Sequence, residues 1–433
     1  MRASSSRVWY CESQRVDSQW TQIRSWICLL TALLTLCGCS ARPKVQEPVE
    51  MELSGMLIRG DGAVKSAKDL FEEGVGAFEG QQFEKCETLL QTYLEHFSSE
   101  VYTHAVHYNL GLCLELQRKH EGAVDHFRAY AELSQEASDR RDGEVRLGYN
   151  LIFAGRHQEA IELYTQLLTL APIKGLDRAE CHLRRAIAQS SIGKYAEADQ
   201  DLGLAMSHTN STLGPYRAGN EMLAEIYFQR GEVYRHHMGV IDLKLPLTKM
   251  RRNLSDKKRF FNRSLYAFIE AVKVAHSYWS IAAGHQLGVL YEDFYEDIMQ
   301  AEYPEDFDEE TVAFYYFKLE KGMTPILRQA ISLYEKTITI SSTQGAENEW
   351  VRSTQESLKR LRELEERLHH RLSMDEVEAH KLRTSQPLRR PPKHTLPLPP
   401  RQTGASDEHI QPVSTSTDLN SRAAERSPQS DAD

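Results

Sequence analysis

The sequence predicts an all-α protein: a solenoid of about six stacked helix pairs, closed by a C-terminal capping helix and followed by a disordered tail. Three observations predict it. Small residues recur in pairs: Gly74/Cys86, Gly111/Ala123, Gly148/Ala160, Ala186/Ala198, Gly231/Ser264 and Gly288/Ala330. The first four pairs are 12 residues apart, and the last two are 33 and 42 apart, the same spacing enlarged by 21 and 30. Such a constant spacing requires two helices that cross closely. A helix pair cannot bury its apolar face alone, so successive pairs must stack. The apolar fraction of 41% is enough for a continuous core. Finally, Leu358, Leu361, Leu364, Leu368 and Leu372 form one apolar stripe, as a terminal cap requires. A coiled-coil dimer would need that stripe to last longer.

Bulk properties narrow the function classes. A net charge of −10 and a mean hydropathy of −0.52 argue against a membrane-spanning chain and against a nucleic-acid binder. No basic stripe with interleaved aromatics is present, so no nucleic-acid partner is expected.

The elements follow in order. Arg2, Arg7, Arg15 and Arg24 precede an apolar run over residues 26–38, the length of a signal h-region and too short to span a bilayer. The run ends in Leu36-Cys37-Gly38-Cys39, which resembles a bacterial lipobox. The resemblance implies a signal peptide over 1–38, removed so that Cys39 carries lipid at the mature N-terminus. A secretory signal that merely contains a Cys is the plainer alternative. Ser40, in place of an Asp, leans towards outer-membrane sorting. Residues 39–63, with Pro43, Pro48, Gly60 and Gly62, read as a lipidated flexible tether. Beyond the lipidated residue, Cys86, Cys113 and Cys181 remain, and their helical positions favour buried thiols. A disulfide among them has no support from spacing.

The solenoid is expected over 64–345. Residues 107–133 (HYNLGLCLELQRKHEGAVDHFRAYAEL) and 146–172 (RLGYNLIFAGRHQEAIELYTQLLTLAP) carry a small residue in a first helix. An aromatic or His follows at the turn, an Ala opens a second helix, and Phe127 or Tyr164 comes four residues later. These residues, with 191–205, resemble tetratricopeptide repeats, and the framework extends more loosely over two-thirds of the chain. The resemblance implies a right-handed superhelix and a peptide-binding groove. The second unit lacks the turn glycine seen at Gly155 and Gly193. Insertions are placed near 238–255, where Ser255 is expected to cap the next helix, and near 299–316, after which Thr324-Pro325 is expected to restart the helix. They form either a binding lip or extended helix ends. A capping helix over 346–382 and a Pro-rich disordered tail over 383–433 complete the chain.

In tetratricopeptide arrays the first helix of each unit lines the concave face. Carried onto this register, the resemblance makes Phe71, Phe78, Tyr108, Leu112, Tyr149, Ile152 and Phe228 the partner-binding residues. The His104/His107 pair and the Glu232/His236 pair have ligand-like spacing, but no recognised motif is completed. A solvated face and a Glu232–Arg235 surface ion pair are the expected readings, with no metal, no cofactor and no catalytic residue. Nucleophile-elbow, Cys–His and phosphate-loop motifs are missing from the sequence.

The segments around Trp279, Tyr291-Glu-Asp-Phe-Tyr295 and Gly345 to Trp350 are similar to lipoproteins of myxobacterial gliding-motility or envelope-spanning machines. The expected function is a non-enzymatic adaptor on the periplasmic face of the outer membrane, binding envelope proteins through its groove. Alternatives are a pilotin-like secretin chaperone, a murein-hydrolase docking factor, or a metal-dependent enzyme using His236, His285 and nearby Glu residues.

Overall fold

The computed structural model describes residues 51–53, 56–58, 64–97, 101–170, 173–214, 217–385 and Pro412. The expected lipobox, with Cys39, and nearly all of the expected disordered tail lie outside the described residues. Three short strands open the described chain: β1 (Met51–Leu53), β2 (Met56–Ile58) and β3 (Val64–Ser66). They form an antiparallel meander in the order β1-β2-β3. Part of the segment read as a tether is therefore extended and paired, consistent with the alternating Met51, Leu53, Met56 and Ile58.

All else that is regular in the described residues is helical. The units are α1 (Ala67–Glu79) with α2 (Phe83–Phe97), α3 (Thr103–Leu116) with α4 (His120–Leu133), and α5 (Ala137–Phe153) with α6 (His157–Leu170). Then come α7 (Gly175–Ser191) with α8 (Tyr195–Leu213), α9 (Glu221–Gly239) with α10 (Leu247–Val274), and α11 (Ser277–Met299) with α12 (Glu309–Gln344). Each helix packs on the next, which makes the expected solenoid. One core runs from Leu70 to Val233 and a second from Leu223 to Leu368, and α9 contributes to both.

The paired small residues work differently from a simple helix crossing. The second members, Cys86, Ala123, Ala160, Ala198, Ser264 and Ala330, are all fully buried. It is the residue four positions after each of five of these that covers the first-helix glycine. Leu90 lies on Gly74, Phe127 on Gly111, Tyr164 on Gly148, Phe268 on Gly231 and Tyr334 on Gly288. A side chain on the glycine would occupy the space of that ring or Leu side chain. In the fifth unit the small pair also meets directly, because Ser264 Oγ donates to the Gly231 carbonyl at 2.9 Å.

The turn inside each of the first four units uses a left-handed residue. Gly155 and Gly193 supply it at φ +78° and +79°, while Gln81 (+56°) and Arg118 (+61°) adopt it without glycine's freedom. The missing turn glycine thus changes the cost of the turn and leaves its geometry in place.

The insertions are mostly helix extension. α10 has 28 residues and α12 has 36. Ser255 lies inside α10, which begins at Leu247, and α12 continues through Pro325; neither position starts a helix. The two connecting loops join each other: the Glu302 amide donates to the Leu243 carbonyl at 3.1 Å, and the Leu245 amide to Glu302 Oε2 at 2.8 Å.

The cap is two helices, α13 (Glu349–Arg371) and α14 (Glu376–Ser385). Asn348 caps α13 by accepting from the Val351 amide at 3.1 Å. Leu358, Leu361, Leu364 and Leu368 are buried, while Leu372 is half-buried. No helix among the described residues is long and apolar enough to cross a membrane.

The cysteines depart from expectation. Cys86 of α2 and Cys113 of α3 form a disulfide, with Cα atoms 6.5 Å apart, tying the first unit to the second. Their sequence separation of 27 matches no motif, so only the stacking of units brings them together. Cys181 is a buried free thiol, its pKa pushed up to about 12 by burial and by Asp177.

Candidate partner-binding face

Phe71, Phe78, Tyr108, Leu112, Tyr149, Ile152 and Phe228 are all buried, none more than 7% exposed. Phe71 stacks on Tyr102 with centroids 4.7 Å apart, and Phe228 meets Trp279 at 5.0 Å and Phe268 at 5.7 Å. Leu112 has no exposed surface. Most of the apolar positions assigned to a groove are thus seams between neighbouring helices. An α-helix in a stacked array needs an apolar stripe wide enough for both of its neighbours, which uses up these positions. Tyr108 and Tyr149 are different: both reach the wall of a cavity.

That cavity, about 300 Å³, opens between α5 and α7. Tyr108, Val145, Tyr149 and Leu176 give it apolar walls, and Arg141 and Asp177 are among its charged residues. Arg184 lies over the Tyr149 ring, 5.4 Å from its centroid, and holds that ring from behind.

Beside the cavity runs a feature that sequence reasoning missed, a ladder of buried ion pairs between first helices of successive units. Arg146 of α5 pairs with Glu115 of α3 at 2.9 Å, and Asn150 Nδ2 donates to the other Glu115 oxygen at 2.7 Å. Arg184 of α7 pairs with Glu225 of α9 at 2.5 Å, and Arg235 of α9 with Asp293 of α11 at 2.7 Å. Arg360 of α13 continues the series to Glu292 of α11 at 2.5 Å. Burial opposes the charge on Arg146 and Arg184, but Glu115 and Glu225 more than offset it, so both guanidinium pKa values rise. In the sequence these acids and bases lie 31 to 68 residues apart, a separation that no local motif distinguishes.

The histidine readings also change. His104 Nε2 meets Ser134 Oγ at 2.8 Å, His107 Nδ1 meets His126 Nδ1 at 3.0 Å, and His120 Nδ1 meets Asn150 Oδ1 at 2.9 Å. They are part-buried packing groups and do not form a solvated face. Burial and the neighbouring His126 lower the His107 pKa to about 4. The Glu232–Arg235 ion pair forms at 2.9 Å, but it is buried and shares its guanidinium with Asp293. His285 is fully enclosed, bonded to Thr354 Oγ1 at 3.0 Å, and burial lowers its pKa to about 3. Among the described residues no group of three or more His, Cys, Asp or Glu is placed to hold a metal.

Residues 145–174 match the family model of the tetratricopeptide repeat. A tetratricopeptide repeat is therefore present, spanning the end of α5 and all of α6, and the fold around it is a helical-repeat interaction scaffold. No curated protein matches the chain. Among solved structures, a tetratricopeptide repeat protein from Parabacteroides merdae is 14% identical, with 68% of this chain and 97% of that chain covered and a TM-score of 0.34. The apo form of RapI is 13% identical over 74% of this chain and 99% of that chain, with a TM-score of 0.39. A human IFIT1 dimer with PPP-AAAA is 15% identical over 74% and 70%, with a TM-score of 0.34.

Proposed function

We propose that this chain is a lipid-anchored periplasmic adaptor that captures a segment of an envelope protein on the inner face of its repeats. The observation that carries the reading is the cavity between α5 and α7. Val145, Arg146, Tyr149 and Ile173 of the matched repeat line it together with residues of the neighbouring units, and its size suits one or two large side chains. Apolar walls with a charged rim favour an anchor residue that is desolvated at its centre and oriented at its edge. A lipid at Cys39 would hold the scaffold at the outer membrane and raise the local concentration of its partner. The buried Cys86–Cys113 disulfide supports an oxidising compartment, where such bonds persist.

The test is affinity capture from gently solubilised envelope, comparing the native chain with a Val145→Glu/Leu176→Arg variant. Both positions are half-buried on the cavity wall, and an unchanged urea midpoint checks that the variant folds. Loss of one envelope protein in the variant is the expected result; an identical set of captured proteins would sink the reading. Anchoring is tested separately, by palmitate labelling that should disappear in Cys39→Ser.

A further inference from the structure

A second cleft, about 700 Å³ in volume, lies in the fifth unit between α9 and α10. Its chemistry runs against that of the molecule. The chain carries a net charge of −10, yet residues 247–263 of α10 hold seven cations and one carboxylate, Asp256. Of these cations only Lys257 is turned inward, donating to Asp297 and to the Met238 carbonyl.

Three of the outward cations, Lys258, Arg259 and Arg263, line the cleft, with Arg230 of α9 opposite. Arg230 is matched internally, bonded to Asp199 at 2.8 Å. Arg259 has an exposed pairing with Asp256 at 3.2 Å, of a kind worth little. Lys258 and Arg263 have no ion-pair partner among the described residues, and Arg263 instead lies over the Tyr234 ring at 5.1 Å. Tyr266, next along the same helix face, is 64% exposed and lines the cleft.

We infer that this cleft is a second binding site, and that its occupant is an acidic segment of a protein partner with an aromatic or aliphatic residue among its carboxylates. Spacing favours that occupant. From Lys258 to Tyr266 the lining follows α10 for about 12 Å at ~1.5 Å per residue. Four extended residues span about the same length. Cations spread along a line meet successive carboxylates, whereas a lone phosphate favours cations that converge on one point. The Tyr266 ring then receives the apolar residue between them. The site is independent of the α5–α7 cavity, so either can fail without the other.

The experiment is fluorescence anisotropy of the full chain with a labelled peptide of alternating glutamate and phenylalanine. The expected result is saturable binding that weakens about tenfold or more between low and high salt. It should weaken about as much in Lys258→Glu/Arg263→Glu, and less in Tyr266→Ala. These side chains are exposed, and unchanged urea midpoints confirm that the variants fold. Reversal of an exposed cation elsewhere, Lys85→Glu on α2, should leave binding unchanged. Absence of binding overturns the inference, as does equal loss in Lys85→Glu. So does binding of pyrophosphate or of phosphatidylglycerol vesicles, sensitive to Lys258→Glu/Arg263→Glu, with none for the peptide.

Discussion

Tyr164 lies flat against Gly148. A Cβ on that glycine would come within 2.5 Å of the ring, whose hydroxyl is fixed by donation to the Val145 carbonyl at 3.0 Å. The ring cannot retreat without losing that bond, so Gly148→Ala should cost about 1–3 kcal/mol as overpacking. Gly203, in the middle of α8, has nothing within 4 Å of the same added atom. There Ala should stabilise by up to about 1 kcal/mol through helix propensity. Urea unfolding of the two variants checks the opposite signs.

The Cys86–Cys113 bond closes a segment with a sequence separation of 27 across the first two units. Restricting the unfolded chain in this way is worth about 3–4 kcal/mol. Reductant should therefore lower the melting temperature of the native chain but not that of Cys86→Ala/Cys113→Ala. Cys181, with its raised pKa, should resist maleimide until the chain unfolds. Thermal melts with and without reductant read the first outcome, and peptide mapping by mass spectrometry the second.

Removing one rung of the ion-pair ladder leaves a buried charge without its partner. Arg146→Met leaves the Glu115 carboxylate buried, with Asn150 donating to its other oxygen. The expected cost is about 3–5 kcal/mol. Adding Glu115→Leu should recover much of it, because the desolvation penalty then disappears with the charge. A double-mutant cycle at these two positions measures the difference.

His285 gives the pH dependence. Its folded pKa, about 3, lies below the ordinary value of 6.5. Below pH 6.5 the unfolded chain takes up a proton that the native site refuses, so stability falls as pH drops towards 3 and is flat above 6.5. At pH 5 the loss from this residue is about 2 kcal/mol. Urea midpoints at pH 7.5 and pH 5 should differ by correspondingly less in His285→Asn.

Legibility followed the range of the interaction. Gly148 and Ala160 sit in one helix pair, and their spacing reports a local necessity, so the repeats and their order could be read directly. The insertions were also visible, because they enlarge that spacing while the contact from Gly288 to Tyr334 survives. Helix starts at Ser255 and Pro325 were misplaced, since a capping residue or a proline signals a boundary only where tertiary packing leaves the helix free to end. Tyr108 and Tyr149 line a cavity, whereas Phe71, Leu112 and Phe228 share their sequence pattern and are core.

By itself the sequence determined the all-helical repeat, the approximate number of units and the positions that must stay small, because each rests on residues within one unit meeting at fixed separation. Tertiary structure alone decided which apolar residues face a cavity, which carboxylate each buried arginine meets, and that Cys86 finds Cys113. Those depend on how one unit is rotated against the next, a geometry set by the summed packing of whole helices and carried by no single residue.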